Sequence, residues 1–232
     1  MSDVVITSVR LAAAPAALEP LHRFYAGCLG FTAEVGAGER LTLVVGGGRL
    51  EFAPGSDGGR PFYHFAFLVP GDRYAAARTW LERCAAPLGR PGQTSTTFRF
   101  DDWDADACYF HDPAGNIVEL IAHRGIGAGR TAGGPFAAGE LLGISELGLV
   151  VIDPAAAVHT LASAGIDLWS GGVAGDGALA FVGRQAHTLI LCRPGRPWMP
   201  TQEPAESHPV TVRVTDAVTV ELADGILSVA AA

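Results

Sequence analysis

Hydrophobic and polar residues recur in one order three times along the chain: an alternating apolar strand, a short helix with an apolar stripe, and further short strands separated by glycine. The first repeat opens with a predicted strand at residues 4–11. Apolar residues at spacings of three and four then predict a helix that ends at Gly30, and its stripe consists of Leu18, Leu21, Phe24, Tyr25 and Leu29. Two strands at 41–45 and 49–53 follow around a glycine turn.

The second and third repeats follow the same order. The second is predicted to consist of a strand at 63–69, a helix at 74–85 and strands at 96–100, 107–110 and 116–122. The third is predicted to consist of a strand at 144–152, a helix at 155–164 and strands at 179–182 and 188–192. A single β-α-β-β-β unit exposes an apolar sheet face that it cannot bury alone, so the units are expected to pair.

This pattern predicts an α+β protein made of repeated β-α-β-β-β units. Residues 1–125 are expected to hold two paired units, the glycine-rich stretch 126–140 a linker, and residues 141–232 a third unit with a C-terminal tail of strands. The proline-rich segment 195–204 has to be irregular. Trp198 within it suits a chain that packs back against a sheet or a neighbouring subunit.

Composition and charge narrow the class of partner. Of the 232 residues, 49% are hydrophobic and 17% are charged, and no apolar run reaches the length of about 18 residues that crosses a bilayer. The formal net charge of −8 disfavours nucleic acid, because phosphate neutralisation needs clustered Lys and Arg, so a small-molecule ligand is expected. The N-terminus has acidic Asp3 and a proline where a secretory signal needs a basic stretch and an unbroken apolar core, which favours a cytoplasmic protein.

The cysteines give no sign of a metal or redox motif. Cys28, Cys84, Cys108 and Cys192 are scattered without any C-x-x-C spacing, which argues against a structural zinc site. Buried, reduced thiols are therefore expected.

Two motifs carry a resemblance to a known family. Residues 24–31, FYAGCLGF, are similar to an F-Y-x-x-x-L-G-F signature, and residues 109–120, YFHDPAGNIVEL, are similar to F-x-D-P-x-G-N-x-x-E-L. With them, residues 4–123 resemble the vicinal oxygen chelate superfamily of glyoxalases, bleomycin-resistance proteins and extradiol dioxygenases. The resemblance implies that two units curl into a half-open cup, which holds a divalent metal between residues of the first and last strand of each unit.

Transferred residue by residue, the four metal positions are Ser8, Glu51, His64 and Glu119. Metal enzymes of the family usually have His or Gln at the first position, and a neutral serine hydroxyl is a poor ligand. Two interpretations therefore stay open. Three protein ligands and a water hold Mn, Fe, Ni, Zn or Co, or the cup has no metal and Glu51 pairs with Arg49, two residues away on the same strand face.

The third unit has only part of this pattern. Glu146 falls at the position of the first-strand ligand, but the last-strand position corresponds to Leu191, so a second complete site is not expected. Glu146 is instead interpreted as a surface or subunit-contact residue, and a homodimer is left open.

Two functions follow from these interpretations. The first is a metal-dependent lyase, isomerase or dioxygenase that acts on a small substrate with vicinal oxygens, with Glu51 or Glu119 moving a proton. The second is a metal-free protein that sequesters an aromatic or antibiotic-like ligand. The residues assigned to the ligand cavity are Ser8, Phe98, Phe100, Trp103, Tyr109 and His123. Of these, His123 is also weighed as a base, but a solvated rim residue is favoured.

Overall fold

Alternating apolar residues form fifteen strands in the computed structural model, which describes residues 4–55, 59–129, 133–215 and 217–231. Three consecutive segments of this chain have the β-α-β-β-β order, and the last segment has strands alone. The fold therefore is the α+β arrangement of repeated units that the hydrophobic pattern predicts.

The first unit consists of β1 (Ile6–Ala13), α1 (Pro15–His22), a π-helical turn (Arg23–Cys28), β2 (Ala33–Gly36), β3 (Arg40–Val45) and β4 (Gly48–Pro54). The second unit consists of β5 (His64–Leu68), α2 (Tyr74–Leu81), β6 (Phe98–Phe100), β7 (Ala105–His111) and β8 (Ile117–His123). The third unit consists of β9 (Gly143–Val150), α3 (Pro154–Ser163), β10 (Leu168–Gly171), β11 (Ala180–Arg184) and β12 (His187–Cys192). The C-terminal segment consists of β13 (Val210–Val214), β14 (Val218–Ala223) and β15 (Ile226–Ala231).

The helices are short and begin at local sequence signals. α3 starts with proline at its first turn, and the Asp153 carboxylate accepts hydrogen bonds from the backbone N–H groups of Ala155 and Ala156. α1 also starts at a proline and buries Leu18 and Leu21 against the sheets. Among the described residues, no helix is both long and apolar enough to span a membrane.

The units are combined in two sheets. Sheet A joins the first unit to the C-terminal strands in the order β15-β14-β13-β1-β4-β3-β2, and sheet B joins the second and third units in the order β10-β11-β12-β9-β5-β8-β7-β6. β1 pairs antiparallel with β13, and β5 pairs antiparallel with β9. The second unit therefore shares its cup with the third, whereas the sequence interpretation paired the first two units within residues 1–125.

The first and second units meet through the protein core instead. The ring of Tyr25 lies 6.0 Å from that of Phe52, which lies 6.4 Å from the ring of Phe65, and Phe31 lies 5.3 Å from Phe67. Phe52 lies on β4 and Phe65 and Phe67 lie on β5, so these three project from the two sheets, whereas Tyr25 lies in the π-helical turn and Phe31 follows that turn. The first two units thus bury their apolar faces against each other in the core. The sequence interpretation expected a shared cup to bury these faces.

The predicted linker at 126–140 is packed where it is described, and its residues 130–132 lie outside the described part of the chain. The Phe136 ring lies 5.3 Å from Trp80, and Glu140 accepts a hydrogen bond of 3.0 Å from Arg73. This stretch therefore leads from β8 to β9 along the surface of the second unit.

The expectation of four reduced cysteines is wrong for two of them. Cys28, at the end of the π-helical turn, forms a disulfide with Cys84, which follows α2, while Cys108 and Cys192 are free and buried. The two bonded residues are 56 positions apart in sequence, but the packing of the first unit on the second brings their Cα atoms within 5.9 Å. The bond thus ties together the two units that do not share a sheet.

Candidate metal centre

The inner face of sheet B forms the cup. Along β5, Phe65 and Phe67 face the core, so the alternation of a strand directs His64 and Ala66 to the opposite face. β8 runs parallel beside β5, and its Glu119 is opposite Ala66 in the cross-strand register. His64 and Glu119 therefore project into the same cup, as the sequence interpretation required of them.

A third residue completes the cluster, and it comes from β9. His64, Glu119 and Glu146 each offer a ligand atom, and these atoms lie within 4.8 Å of one another. The Nε2 atom of His64 is 3.6 Å from Oε2 of Glu119. Because the three residues are only 5%, 1% and 3% exposed, respectively, the cluster is enclosed by protein.

A β-bulge explains how Glu146 reaches the cup. Ala66 of β5 is opposite Glu146, but the next residue, Phe67, is opposite Ile144, so Ser145 is an extra residue in β9. Ile144 faces the core on one side of the bulge, and Glu146 faces the cup on the other. The interpretation of Glu146 as a surface or subunit-contact residue is therefore wrong.

The backbone fixes the orientation of the His64 ring. Its Nδ1 atom lies 3.0 Å from the carbonyl oxygen of Ile117, so the Nδ1–H group donates to that oxygen in the neutral ring. The lone pair of Nε2 is then directed toward Glu119 and Glu146. Burial lowers the pKa of His64 to about 4, so the neutral form that binds metals is present at neutral pH.

The pKa values of the Glu119 and Glu146 carboxyl groups are both raised. Burial raises the pKa of Glu146 to about 8. Burial and then the nearby Glu146 charge raise the pKa of Glu119 well above its ordinary value, while a hydrogen bond from Tyr109 acts in the opposite direction. Without a cation between them, the pair takes up protons at neutral pH.

These shifts predict how the stability of the metal-free protein depends on pH. A carboxyl whose pKa rises on folding stabilises the protein below its unfolded pKa, and this contribution is lost as pH rises through the folded pKa, here about 8 for Glu146. His64 has the opposite dependence, but its contribution changes only below its unfolded pKa of about 6.5. Between pH 6.5 and 8 we therefore expect the Tm of chelator-treated protein to fall.

Thermal melts of the wild type and of Glu146→Gln across this range check that expectation. The variant keeps the size of the side chain and cannot ionise, so its Tm should fall less steeply. Parallel slopes for the two proteins would contradict the assignment of Glu146 as a buried carboxyl with a raised pKa.

The donor set fits a divalent transition-metal ion. The Oε1 atom of Glu119 is buried and has no hydrogen-bond partner among the described residues. A buried carboxylate oxygen without a partner is costly, and a cation between Glu119 and Glu146 removes that cost. One imidazole and two carboxylates suit Mn, Fe, Ni, Zn or Co and do not distinguish between them.

Glu51 does not belong to this cluster, which corrects the sequence-based ligand set. It lies on β4 in sheet A and forms an ion pair of 2.5 Å with Arg10 of β1. Arg49, the expected partner of Glu51, is instead 3.6 Å from Glu34. Ser8 also lies in sheet A, opposite Arg49, and thus away from the cup of sheet B.

Cross-strand register explains why sheet A has no equivalent cluster. In sheet B, Ala66 is opposite both Glu119 and Glu146, and its methyl group leaves space between the two carboxylates. In sheet A the corresponding residue is Arg10, which is opposite Glu51 on β4. An arginine guanidinium thus supplies the positive charge for Glu51 in place of a bound cation.

The remaining two positions of sheet A follow from the same register. Arg10 is opposite Thr211 on β13, so Thr211 corresponds to Glu146, and Ser8 corresponds to His64. Neither hydroxyl is a strong metal ligand at neutral pH. The ligand that was sought in the first unit, beside His64 and Glu119, is therefore found in the third unit as Glu146.

The fourth position of the sheet B cup is apolar. Gly148 of β9 is opposite Ile190 of β12, just as Ala66 is opposite Glu119. The position is therefore Ile190 rather than Leu191, whose side chain faces the core on the other side of the sheet. With three donors and one apolar wall, this geometry leaves coordination positions for water or substrate.

Aromatic side chains line the rest of the cup. Four of the residues assigned to the ligand cavity lie on its inner face, namely Phe98, Phe100, Trp103 and Tyr109. The Trp103 ring packs edge-on against Phe181 at 4.7 Å, and Phe98 packs against Tyr109 at 5.0 Å. Their contribution to ligand binding stays a prediction.

The sequence interpretation favoured a solvated residue at the rim for His123. In the structure His123 is buried. It is 1% exposed, its Nδ1 atom is 3.2 Å from the Gln185 amide nitrogen, and its Nε2 atom has no partner among the described residues. Burial lowers its pKa. His123 lies four residues beyond Glu119 on β8 and is not part of the three-residue cluster.

Comparison with known proteins places the fold. No protein-family model matches the chain, and no curated protein matches it. Among solved structures, a candidate dioxygenase from Bacillus subtilis subsp. subtilis strain 168 has a TM-score of 0.60 at 15% identity, with 100% of this chain and 86% of that chain covered. Glyoxalase I from Zea mays has a TM-score of 0.54 at 14% identity, with 99% and 92% covered.

These identities are low, so the likeness concerns the fold. The chain has one eight-stranded and one seven-stranded sheet, which contain the repeated β-α-β-β-β units, and the eight-stranded sheet is curled into a cup. This arrangement defines a glyoxalase-like α+β fold. The chain has the fold of the vicinal oxygen chelate superfamily, which confirms the fold implied by its two sequence motifs.

Proposed function

We propose that the chain binds one divalent transition-metal ion through His64, Glu119 and Glu146. The observation that carries this proposal is the convergence of three buried donor residues from three strands, with one carboxylate oxygen lacking a protein partner. A neutral imidazole with its free lone pair directed at two carboxylates is the arrangement that such an ion requires.

We further propose that the chain is a lyase, isomerase or dioxygenase acting on a small substrate with vicinal oxygens. When bound, the ion supplies positive charge that polarises oxygen atoms of the substrate. Non-haem iron oxygenases use two histidines and one carboxylate, whereas this cluster has one histidine and two carboxylates, which favours lyase or isomerase chemistry.

Within the protein, Glu119 is the residue best suited to move a proton. Its Oε1 atom is buried and has no protein partner among the described residues, and a general base must lie within hydrogen-bond reach of the proton that it takes. Glu51 is not suited to this role because it is ion-paired with Arg10 in the other sheet. The aromatic walls of the cup would exclude water from the proton transfer.

A metal-free binding function is the second candidate. The observation that favours it is the aromatic lining of the cup, since apolar and aromatic walls with few polar groups are typical of small-molecule pockets. In this case the two carboxyl groups stay protonated, and the cup sequesters an aromatic or antibiotic-like compound.

Calorimetric titration of chelator-treated protein with Mn, Ni, Zn and Co ions separates these candidates. The metal-dependent function predicts binding of one ion per chain by at least one of them. Absence of binding for all four ions would contradict it and leave the metal-free function. Titration with planar aromatic compounds would then test the second candidate.

A further inference from the structure

The connection between β12 and β13 packs against His64, one residue of the cluster. We call residues 193–209 the strap. Trp198 of the strap is only 4% exposed, and its ring lies 5.1 Å from the ring of His64. Trp198 packs with Phe98, Tyr109, Val150 and Ile190 in one apolar group on the inner face of sheet B. The segment therefore packs against a sheet, which is one of the two arrangements expected from the sequence.

With Trp198 in this position, little space remains beside His64 on the side of the strap. The cavity lined by His64, Gly148 and Trp198 has a volume of about 10 Å³, which is at most the space of a single water molecule. A substrate-sized ligand, which needs several hundred Å³, therefore cannot reach His64 from this side without movement of the indole.

Gly148 is the residue that lets the indole approach. A Cβ atom at this position would lie 2.8 Å from Cη2 and 3.1 Å from Cζ2 of Trp198. Such separations are shorter than van der Waals contact between carbon atoms. Any side chain at position 148 would therefore push the far end of the Trp198 ring away from His64.

The strap is organised as a separate unit. The backbone N–H groups of Gly195, Trp198, Gln202 and Ala205 donate to carbonyl oxygens of the strap itself, at 2.7–2.8 Å. Side chains attach it to the rest of the protein, for example through the 3.2 Å hydrogen bond from Arg196 to the carbonyl oxygen of Gly177. A segment that satisfies its own backbone can move as a body and breaks mainly side-chain contacts when it does so.

We propose that Trp198 is a gate, and that a shift of the strap that withdraws its indole from Gly148 and His64 opens the cluster to ions and ligands. In the closed position the indole excludes water from His64 and holds its ring in place. The role of this gate in metal binding rests on the proposed function, whereas its control of access to His64 does not.

Chemical modification of His64 tests access without any metal. Diethyl pyrocarbonate acylates unprotonated imidazole, and peptide mass mapping gives a rate for each histidine. In the wild type we expect His64 to react at least about tenfold more slowly than exposed His159, because reaction requires local opening. Trp198→Ala should raise the rate at His64 about tenfold or more, and Trp198→Phe should retain most of the protection.

Gly148→Ala is the decisive variant because it leaves the strap sequence intact. It should accelerate modification of His64 as Trp198→Ala does, and a double variant should react no faster than Trp198→Ala alone. Gly47→Ala is the matched control, since a Cβ at Gly47 meets no atom within 4 Å. Melting curves would show that each variant is folded, and an unchanged rate at His159 would show that the reagent is equally active in each sample.

The rate at which Co(II) associates with each variant, measured by absorption spectroscopy, tests whether the gate also controls access of a metal ion. The gate predicts faster association for Trp198→Ala and Gly148→Ala than for wild type and Gly47→Ala. Faster His64 modification without Co(II) binding would support the gate and contradict the proposed function. Equal modification rates in all folded variants would overturn the gate, even if every variant bound Co(II).

Discussion

A Glu146→Ala variant is expected to bind divalent transition metals more than about 100-fold more weakly than the wild type, because residues that only orient a ligand already contribute about 10–100-fold. Glu146 provides one of three donors that converge within 4.8 Å, and the wall at the fourth position is the apolar Ile190. Among the described residues, no further His, Cys, Asp or Glu joins this cluster to replace the lost carboxylate. Calorimetric titration of chelator-treated protein measures the change.

Glu51→Ala is the matched control for this variant. Glu51 is a strand carboxylate that the family resemblance proposed as a ligand, but the structure places it beside Arg10 in sheet A. Its loss should leave metal affinity unchanged within about threefold. The reverse outcome, with binding lost in Glu51→Ala and kept in Glu146→Ala, would restore the sequence-based ligand set.

Removing the Cys28–Cys84 disulfide is expected to lower the free energy of unfolding by about 4 kcal/mol. The reason is that the closed loop reduces the conformational entropy of the unfolded chain, and this restriction is lost without the bond. The bond spans 56 positions and joins the first unit to the second, which share no sheet. The loss corresponds to a fall in Tm of about 10 °C for a chain of this size. Thermal melts of Cys84→Ala measure it.

Reduction of the wild type provides the control for this substitution. Dithiothreitol should lower the Tm of the wild type by a similar amount and leave the Tm of Cys84→Ala unchanged. Cys108 and Cys192 are buried and free, so they offer no alternative bond. Equal Tm values with and without reductant in the wild type would contradict a stabilising role for the disulfide.

The sequence was sufficient to predict the units but not their pairing. Alternation of apolar residues locates most of the strands, although β2, β10 and β15 were not predicted, and the motif at residues 109–120 implies the family fold. Which edges pair is decided by contacts between residues far apart in sequence, such as β1 with β13. The C-terminal strands were assigned to a tail of the third unit, although β13, β14 and β15 belong to the sheet of the first.

The candidate site was predicted in part for a similar reason. His64 and Glu119 lie on neighbouring strands of one unit, so a local motif was enough to bring them together. Glu146 depends on the pairing of β5 with β9 and on a bulge, neither of which leaves a local pattern. One signal was present, because a lone carboxylate within the apolar strand Gly143–Val150 is costly to bury without a partner.

The same limit applies to Trp198 and Gly148. Trp198 and the prolines around it indicated that this segment packs back against a sheet or a neighbouring subunit, but composition cannot specify the residue that it covers. A glycine in a strand weakens it unless another group approaches closely, and here the indole of Trp198 is that group. Contacts of this kind become visible only when the fold is complete.

Anomalous diffraction from crystals soaked in Zn or Co ions tests whether His64, Glu119 and Glu146 hold a metal. We expect one strong peak per chain in sheet B, about 2.0–2.2 Å from Nε2 of His64 and from carboxylate oxygens of Glu119 and Glu146. A crystal with no peak in the cup, or with a peak held by Glu51 in sheet A, would contradict it.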